Sequence, residues 1–242
     1  MIGLQLYTVR RLMKGDEDSV QTLKKIKEIG YGCVQPYGNI ERLEGFARAA
    51  VVCRMPVVGV LTDVEVAEEF SDRLFSLMEM TGANDIGFSS GVRTADSARA
   101  FAKRVNAIAK EAEKRGYTVS YHNHSAEFIR AEGSATVMDI LLSEFSEAVR
   151  LMPDTYWLQH GGIDVRNFIE KYKDRISILH LKDMARTAEG QTFAALGEGN
   201  MNMRGIIDTA KKCGIRTLIV EEDECLDPLS DIETSYNYLK EI

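Results

Sequence analysis

The chain has 242 residues, 45% of them hydrophobic and 28% charged, a balance that supports one large buried core and excludes global disorder. A formal net charge of −7 disfavours nucleic-acid or anionic-membrane partners held by charge and leaves a small neutral substrate open. Cys33, Cys53, Cys213 and Cys225 follow neither C-x-x-C nor disulfide-framework spacing, and no apolar run approaches the roughly 18–20 residues of a membrane helix, so a cytoplasmic location is expected.

Short apolar runs alternate with longer amphipathic stretches along the whole chain. Ile2 to Thr8 reads as a strand, without a basic n-region ahead of it. The run from Ser19 to Gly30 then reads as a helix with Val20, Leu23, Ile26 and Ile29 on one face. Strands are expected over Tyr31 to Gln35, Met55 to Leu61 and, weakly, Asp85 to Ser89. The helices between and after them are Ile40 to Val51, Val64 to Met80 and Ala95 to Arg115. The second half repeats the rhythm, with strands over Tyr117 to His122, Glu147 to Met152, Arg175 to Leu181 and Ile215 to Glu221. Their helices are Ala135 to Leu142, Val165 to Tyr172, Met203 to Lys212 and Asp231 to Lys240. Eight strand–helix units with no break in composition predict an α/β fold, a single (β/α)₈ barrel domain spanning residues 1–242. An open doubly wound sheet fits less well, because no G-x-G-x-x-G follows the first strand.

Barrels of this kind carry their reactive groups at the C-terminal ends of the strands. The fifth strand ends Tyr121-His122-Asn123-His124, the sixth Pro153-Asp154, the seventh His180-Leu181-Lys182-Asp183 and the eighth Val220-Glu221-Glu222-Asp223. Singly, each of these residues has an ordinary structural explanation, Asp154 as a helix N-cap among them. Two imidazoles and two carboxylates converging at one mouth would be costly without a cation. His122, Asp154, His180 and Glu221 are therefore the candidate ligands of one divalent metal, and the mixed N/O set suits Mn, Co, Fe or Zn. Glu221 and Asp223 share a face of their strand, while Glu222 points the other way. Lys182, two residues past His180, is placed to steady a negative oxygen or, if desolvation lowers its pKa, to exchange a proton. Trp157 is a candidate wall for a sugar ring, and His124 and His160 are candidate substrate or supporting groups. The Gly197-Glu198-Gly199 loop precedes a helix whose N-terminus could meet an anion, with the Glu198 carboxylate opposing a phosphate.

These motifs, with Glu127-Phe128, Asp154-Thr155-Tyr156-Trp157 and Gly161-Gly162-Ile163-Asp164, resemble the xylose isomerase-like barrel superfamily. The likeness runs from Gly3-Leu4-Gln5-Leu6-Tyr7-Thr8-Val9-Arg10 to Ser235-Tyr236-Asn237-Tyr238-Leu239-Lys240 and is greatest to the bacterial sugar phosphate isomerase/epimerase branch, which also resembles inosose dehydratases. The resemblance implies metal ligands Glu, Asp, His and Glu from the last four strands, which carry over to Asp154, His180 and Glu221. His122 stands where the first Glu is expected, Gln35 where many relatives have a Glu, and Leu61 where many have a His facing the substrate.

The expected function is a metal-dependent sugar or keto-sugar isomerase or epimerase working through an enediolate, with Glu221 as base and Lys182 or His124 as its partner. An inosose-type dehydratase acting on a keto-polyol uses the same enediolate and expels hydroxide. A non-catalytic barrel with a degraded site is the third reading, and a homo-oligomer is compatible with all of them. A DNA-repair endonuclease of the same superfamily is disfavoured by four histidines and the acidic charge.

Overall fold

The computed structural model describes residues 1–242. Eight parallel strands succeed one another in chain order: β1 Ile2–Gln5, β2 Cys33–Gln35, β3 Gly59–Thr62, β4 Asp85–Phe88, β5 Thr118–His122, β6 Val149–Met152, β7 Leu179–Leu181 and β8 Leu218–Val220. They form two continuous ladders, β2-β1-β8-β7 and β3-β4-β5-β6. Isolated parallel bridges link the ladders at both seams, Val34↔Val57 and Tyr37↔Leu61 on one side, Leu151↔Ile176 and Asp154↔His180 on the other. The strands are buried on both faces, as parallel strands covered by helices must be. They are also shorter than the apolar runs that announced them. At their mouths the residues that follow β1, β7 and β8 leave the ladder to build the site.

Helices form where periodicity and capping agree. Ala95–Lys114 begins in a capping box made by Thr94 and Ser97, and Ile40–Cys53 begins on the Asn39 side chain. Val165–Tyr172 and Met203–Lys212 have the expected bounds, each capped by a side chain, Asp164 and Asn202. The helix expected over Val64 to Met80 is instead two, Val64–Glu69 and Ser71–Thr81, hinged at Phe70. The last helix starts at Pro228 rather than Asp231, because Asp227 caps it and proline suits the first turn. Three features have no counterpart in the periodicity: the short helix Thr155–His160, and the hairpins Arg130–Glu132 with Ala135–Thr136 and Asp183–Thr187 with Gly190–Ala194.

One large apolar cluster packs helices against strands, while Cys33, Met152, Ile178 and Ile219 form a smaller one. Gly3 belongs to that tight region, since a Cβ there would overlap the side chains of Cys33 and Ile219. No helix is long and apolar enough to cross a membrane.

Candidate active site

The four candidate ligands lie where the ladder runs out. His122 ends β5, Asp154 follows β6 by two residues, His180 is the middle residue of β7, and Glu221 is the first residue past β8. One nitrogen or oxygen of each lies within 4.8 Å of one from every other, and all four residues are buried. His122 and Glu221 line a cavity of about 400 Å³ whose wall also includes His124, Lys182 and Asp223, while Asp154 and His180 lie behind that wall. Tyr7 and Tyr37 form an aromatic side of the same cavity, edge to face with ring centroids 4.8 Å apart.

Asp154 plays both parts that its position suggests. Its Oδ1 accepts the Trp157 N–H at 2.9 Å and caps the helix Thr155–His160. Its Oδ2 points into the cluster, 3.9 Å from His122 Nε2 and 3.0 Å from Lys182 Nζ. His180 is held at both ring nitrogens, with Nδ1 2.7 Å from Glu221 Oε2 and Nε2 2.8 Å from Gln35 Oε1. Gln5 Nε2 donates to that same Gln35 oxygen at 2.9 Å. An amide group from each of β1 and β2 thus sets the orientation of a histidine on β7.

Lys182 is 1% exposed, and its ammonium lies 2.8 Å from Asp223 Oδ1, 3.0 Å from Asp154 Oδ2 and 3.4 Å from Glu221 Oε2. Burial opposes its charge, but Asp154, Glu221 and Asp223 outweigh burial and raise its pKa. That direction favours a charged donor over a lysine neutralised by desolvation. Burial alone would push Glu221 up; Lys182 and His180 reverse this and hold it well below the usual carboxylate range. Asp223 is pushed up to about 6 by burial and by Glu221. Burial, reinforced by His180, holds His122 well below the ordinary histidine range, so its imidazole is neutral with a lone pair free.

His122 Nδ1 is buried without a hydrogen-bond partner, and Asp154 Oδ2 is met only by the Lys182 ammonium at 3.0 Å. Orphaned polar atoms of this kind are costly unless a further group meets them. Two imidazoles and two carboxylates within reach of one point fit a divalent transition metal, which these four residues could hold.

The other residues singled out from sequence fall at different distances from this centre. His124 lines the cavity, and its backbone N–H donates to Glu127 Oε2 at 3.1 Å. Trp157 stands behind it, edge to face with the His124 ring at 5.4 Å and 5.6 Å from Lys182 Nζ. His160 is exposed, stacked on Tyr156 at 5.7 Å, and does not line the cavity. Leu61 is in the cavity wall. The Gly197-Glu198-Gly199 loop wraps a carboxylate of the chain itself. Asp183 accepts N–H groups from Met184, Gly197, Gly199 and Met201 at 2.8–3.3 Å. Gly199 permits this approach, since a Cβ there would overlap the Asp183 carboxylate.

Motif and spacing gave no site role to Gln5, Glu127, Asp183 or the two tyrosines, nor to Gln35 as a histidine partner. Asp223 carried a usable signal, its i, i+2 relation to Glu221 on one strand face. Gln35 carried another, its place at the mouth end of a barrel strand.

The sequence profile of the xylose isomerase-like TIM barrel family matches residues 56–242. Among solved structures, a sugar phosphate isomerase/epimerase from Parabacteroides distasonis superposes with a TM-score of 0.81 at 20% identity, covering 99% of this chain and 93% of that one. A 3-keto-D-glucoside 4-epimerase from E. coli gives 0.74 at 14% identity, covering 100% and 99%. A probable 3-DHS dehydratase from Bacillus anthracis gives 0.75 at 13% identity, covering 99% and 98%. At these identities the likeness is one of fold. A comparison with curated protein sequences finds no match. With the profile spanning more than three quarters of its length, this chain belongs to the xylose isomerase-like TIM barrel family.

Proposed function

We propose that this protein is a metal-dependent isomerase or epimerase acting on a small sugar or keto-sugar through an enediolate. One observation carries the reading: the donor atoms of His122, Asp154, His180 and Glu221 converge within 4.8 Å beside a cavity of about 400 Å³. When bound, a Mn, Co, Fe or Zn ion supplies a Lewis acid that polarises a substrate carbonyl and makes the neighbouring carbon-bound proton acidic.

The chain's own residues do the rest. Glu221 is held ionised at the cavity surface by Lys182 and His180, which keeps a carboxylate there to accept a proton while lowering its basicity as long as the ammonium stays beside it. Asp223, two residues further on and also in the cavity wall, is the neighbour that shares this task. The Lys182 ammonium is a donor for developing negative charge on a substrate oxygen. His124 faces the cavity as a second proton-transfer group, while Tyr7 and Tyr37 offer an apolar side for the carbon skeleton.

A second reading, a dehydratase acting on a keto-polyol, is supported by His122 standing where a carboxylate would give a second base. One carboxylate face with His124 beside it suits proton removal followed by protonation of a leaving hydroxyl. The test is elemental analysis of the purified protein, then incubation with the metal found and a panel of ketoses, keto-sugars and inososes in deuterated water. Deuterium entering next to the carbonyl, slowed by Glu221→Gln, supports enediolate chemistry, and net loss of water selects the dehydratase. Absence of exchange in metal-loaded protein sinks both and leaves a non-catalytic barrel.

A further inference from the structure

The Lys182 ammonium meets the two carboxylates of the candidate metal cage. Nζ lies 3.0 Å from Asp154 Oδ2 and 3.4 Å from Glu221 Oε2. Asp154 has spent its other oxygen on the Trp157 N–H, so Oδ2 is the oxygen it has left for a cation. The ammonium therefore competes for carboxylate oxygens that a metal would use. Two cations on the same pair of oxygens repel at short range, and burial leaves little water to screen them.

The lysine also has a second seat. Asp223 Oδ1 accepts from Nζ at 2.8 Å, and Asp223 is not one of the four converging ligands. The rings of Trp157 and Phe193 lie 5.6 and 5.8 Å from Nζ, within range for cation–π attraction. One position of Nζ touches Asp154, Glu221 and Asp223 together, so a small shift of the buried four-carbon stem carries the ammonium off the first two and onto Asp223, while its backbone stays clamped by Thr155. Thr155 Oγ1 donates to the Lys182 carbonyl and accepts from its N–H, both at 2.9 Å.

We propose that Lys182 and the divalent metal occupy the Asp154–Glu221 cage in alternation, the ammonium retreating to Asp223 and the Trp157 and Phe193 rings when the metal enters. In the metal-free protein Lys182 neutralises the buried carboxylates and keeps the mouth assembled. Metal loading moves the ammonium onto Asp223, itself in the cavity wall, where it meets a substrate oxygen. The proposal rests on the reading that the cage takes a metal, and it assigns Lys182 and Asp223 positioning roles toward that metal.

The experiment is titration of metal-stripped protein with Co²⁺, followed by visible absorption and calorimetry, for wild type, Lys182→Met, Asp223→Asn and the double variant. Circular dichroism verifies folding, with Lys182→Gln as the substitute if Lys182→Met does not fold. Removing the competing ammonium is expected to tighten Co²⁺ binding by roughly tenfold or more. Asp223→Asn is expected to weaken binding in the wild-type background, by stranding the ammonium in the cage, and to have no effect in the Lys182→Met background. Unchanged or weaker binding in both lysine variants overturns the alternation and leaves the metal site standing. An equal loss from Asp223→Asn in both backgrounds makes Asp223 a ligand and overturns it as well. Failure of every variant, wild type included, to bind Co²⁺ removes the metal reading itself and the alternation with it.

Discussion

Gln35 Oε1 lies 2.8 Å from His180 Nε2, on the opposite side of the ring from Glu221. Because Gln5 Nε2 donates to the same oxygen, that oxygen is fixed as an acceptor and His180 Nε2 as the N–H that meets it. The other nitrogen, Nδ1, is left facing the Glu221 carboxylate at 2.7 Å. A carboxylate only accepts, so Nδ1 either carries a proton or shares a cation with Glu221. The glutamine pair thus presents a histidine lone pair to the cage once a metal replaces that proton.

Gln35→Leu is expected to weaken metal binding by about 10–100-fold, the usual scale for a lost group that orients a ligand histidine. Gln35→Glu keeps an acceptor at the same place and is expected to retain most of the affinity. Titration of both variants with Co²⁺ checks this, and equal affinities for wild type and Gln35→Leu would remove Gln5 and Gln35 from the site.

His180→Ala is expected to lose metal and activity together while the barrel stays folded. The side chain lies at the mouth between Gln35 and Glu221, outside the apolar clusters that hold helices to strands. Metal content and far-ultraviolet circular dichroism of the variant are the measurements. Tight metal binding by His180→Ala counts against its role as a ligand.

Glu127 is 0% exposed and joins two elements, accepting the Tyr121 hydroxyl at 2.6 Å and the His124 N–H at 3.1 Å. Glu127→Ala leaves the part-buried His124 N–H unpaired and the Tyr121 hydroxyl with Ser90 as its one remaining partner, and is expected to cost about 1–3 kcal/mol of stability. Glu127→Gln retains acceptor capacity and costs less. The segment carrying His124 loosens with Glu127→Ala, so kcat/KM is expected to fall even at temperatures where the variant is folded. Urea unfolding curves and steady-state kinetics of both variants separate the two effects.

At the start of β4, Asp85 is buried and its carboxyl is pushed up to about 6, chiefly by desolvation, with the Ser120 hydroxyl donating to it at 2.7 Å. For an acid with its folded pKa above its unfolded value, the native state holds the extra proton, so stability falls as pH rises from about 4 to about 6. Asp85→Asn removes this term and is expected to stabilise the protein by about 1–3 kcal/mol at pH 8, with little effect at pH 4. Asp223, also pushed up to about 6, and Glu222, pushed up to about 8, titrate in the same direction. The difference between wild type and Asp85→Asn in urea unfolding across pH isolates Asp85. A difference that does not change with pH would refute the assignment.

The eight strand–helix units, and the strand ends at which to look for chemistry, are legible in the order of residues. Apolar periodicity marks the helices Val165–Tyr172 and Met203–Lys212 to the residue, because the capping side chains Asp164 and Asn202 coincide with the start of the pattern. In a parallel barrel the C-terminal strand ends meet at one mouth, so residues as far apart in sequence as His122 and Glu221 fall together once strand order is known. Thr155–His160 is only six residues long, too short for a period to show, and the hairpin Asp183–Thr187 with Gly190–Ala194 interrupts what reads as a loop. Which side chain partners which emerges only from packing. The contacts of Gln35 with His180, Lys182 with Asp223 and Asp183 with the N–H groups of Gly197 and Gly199 join residues 14 to 145 positions apart. Periodicity records the face a residue turns towards; donor and acceptor pairing depends on ångström-scale distances between strands that are fixed only when the barrel packs.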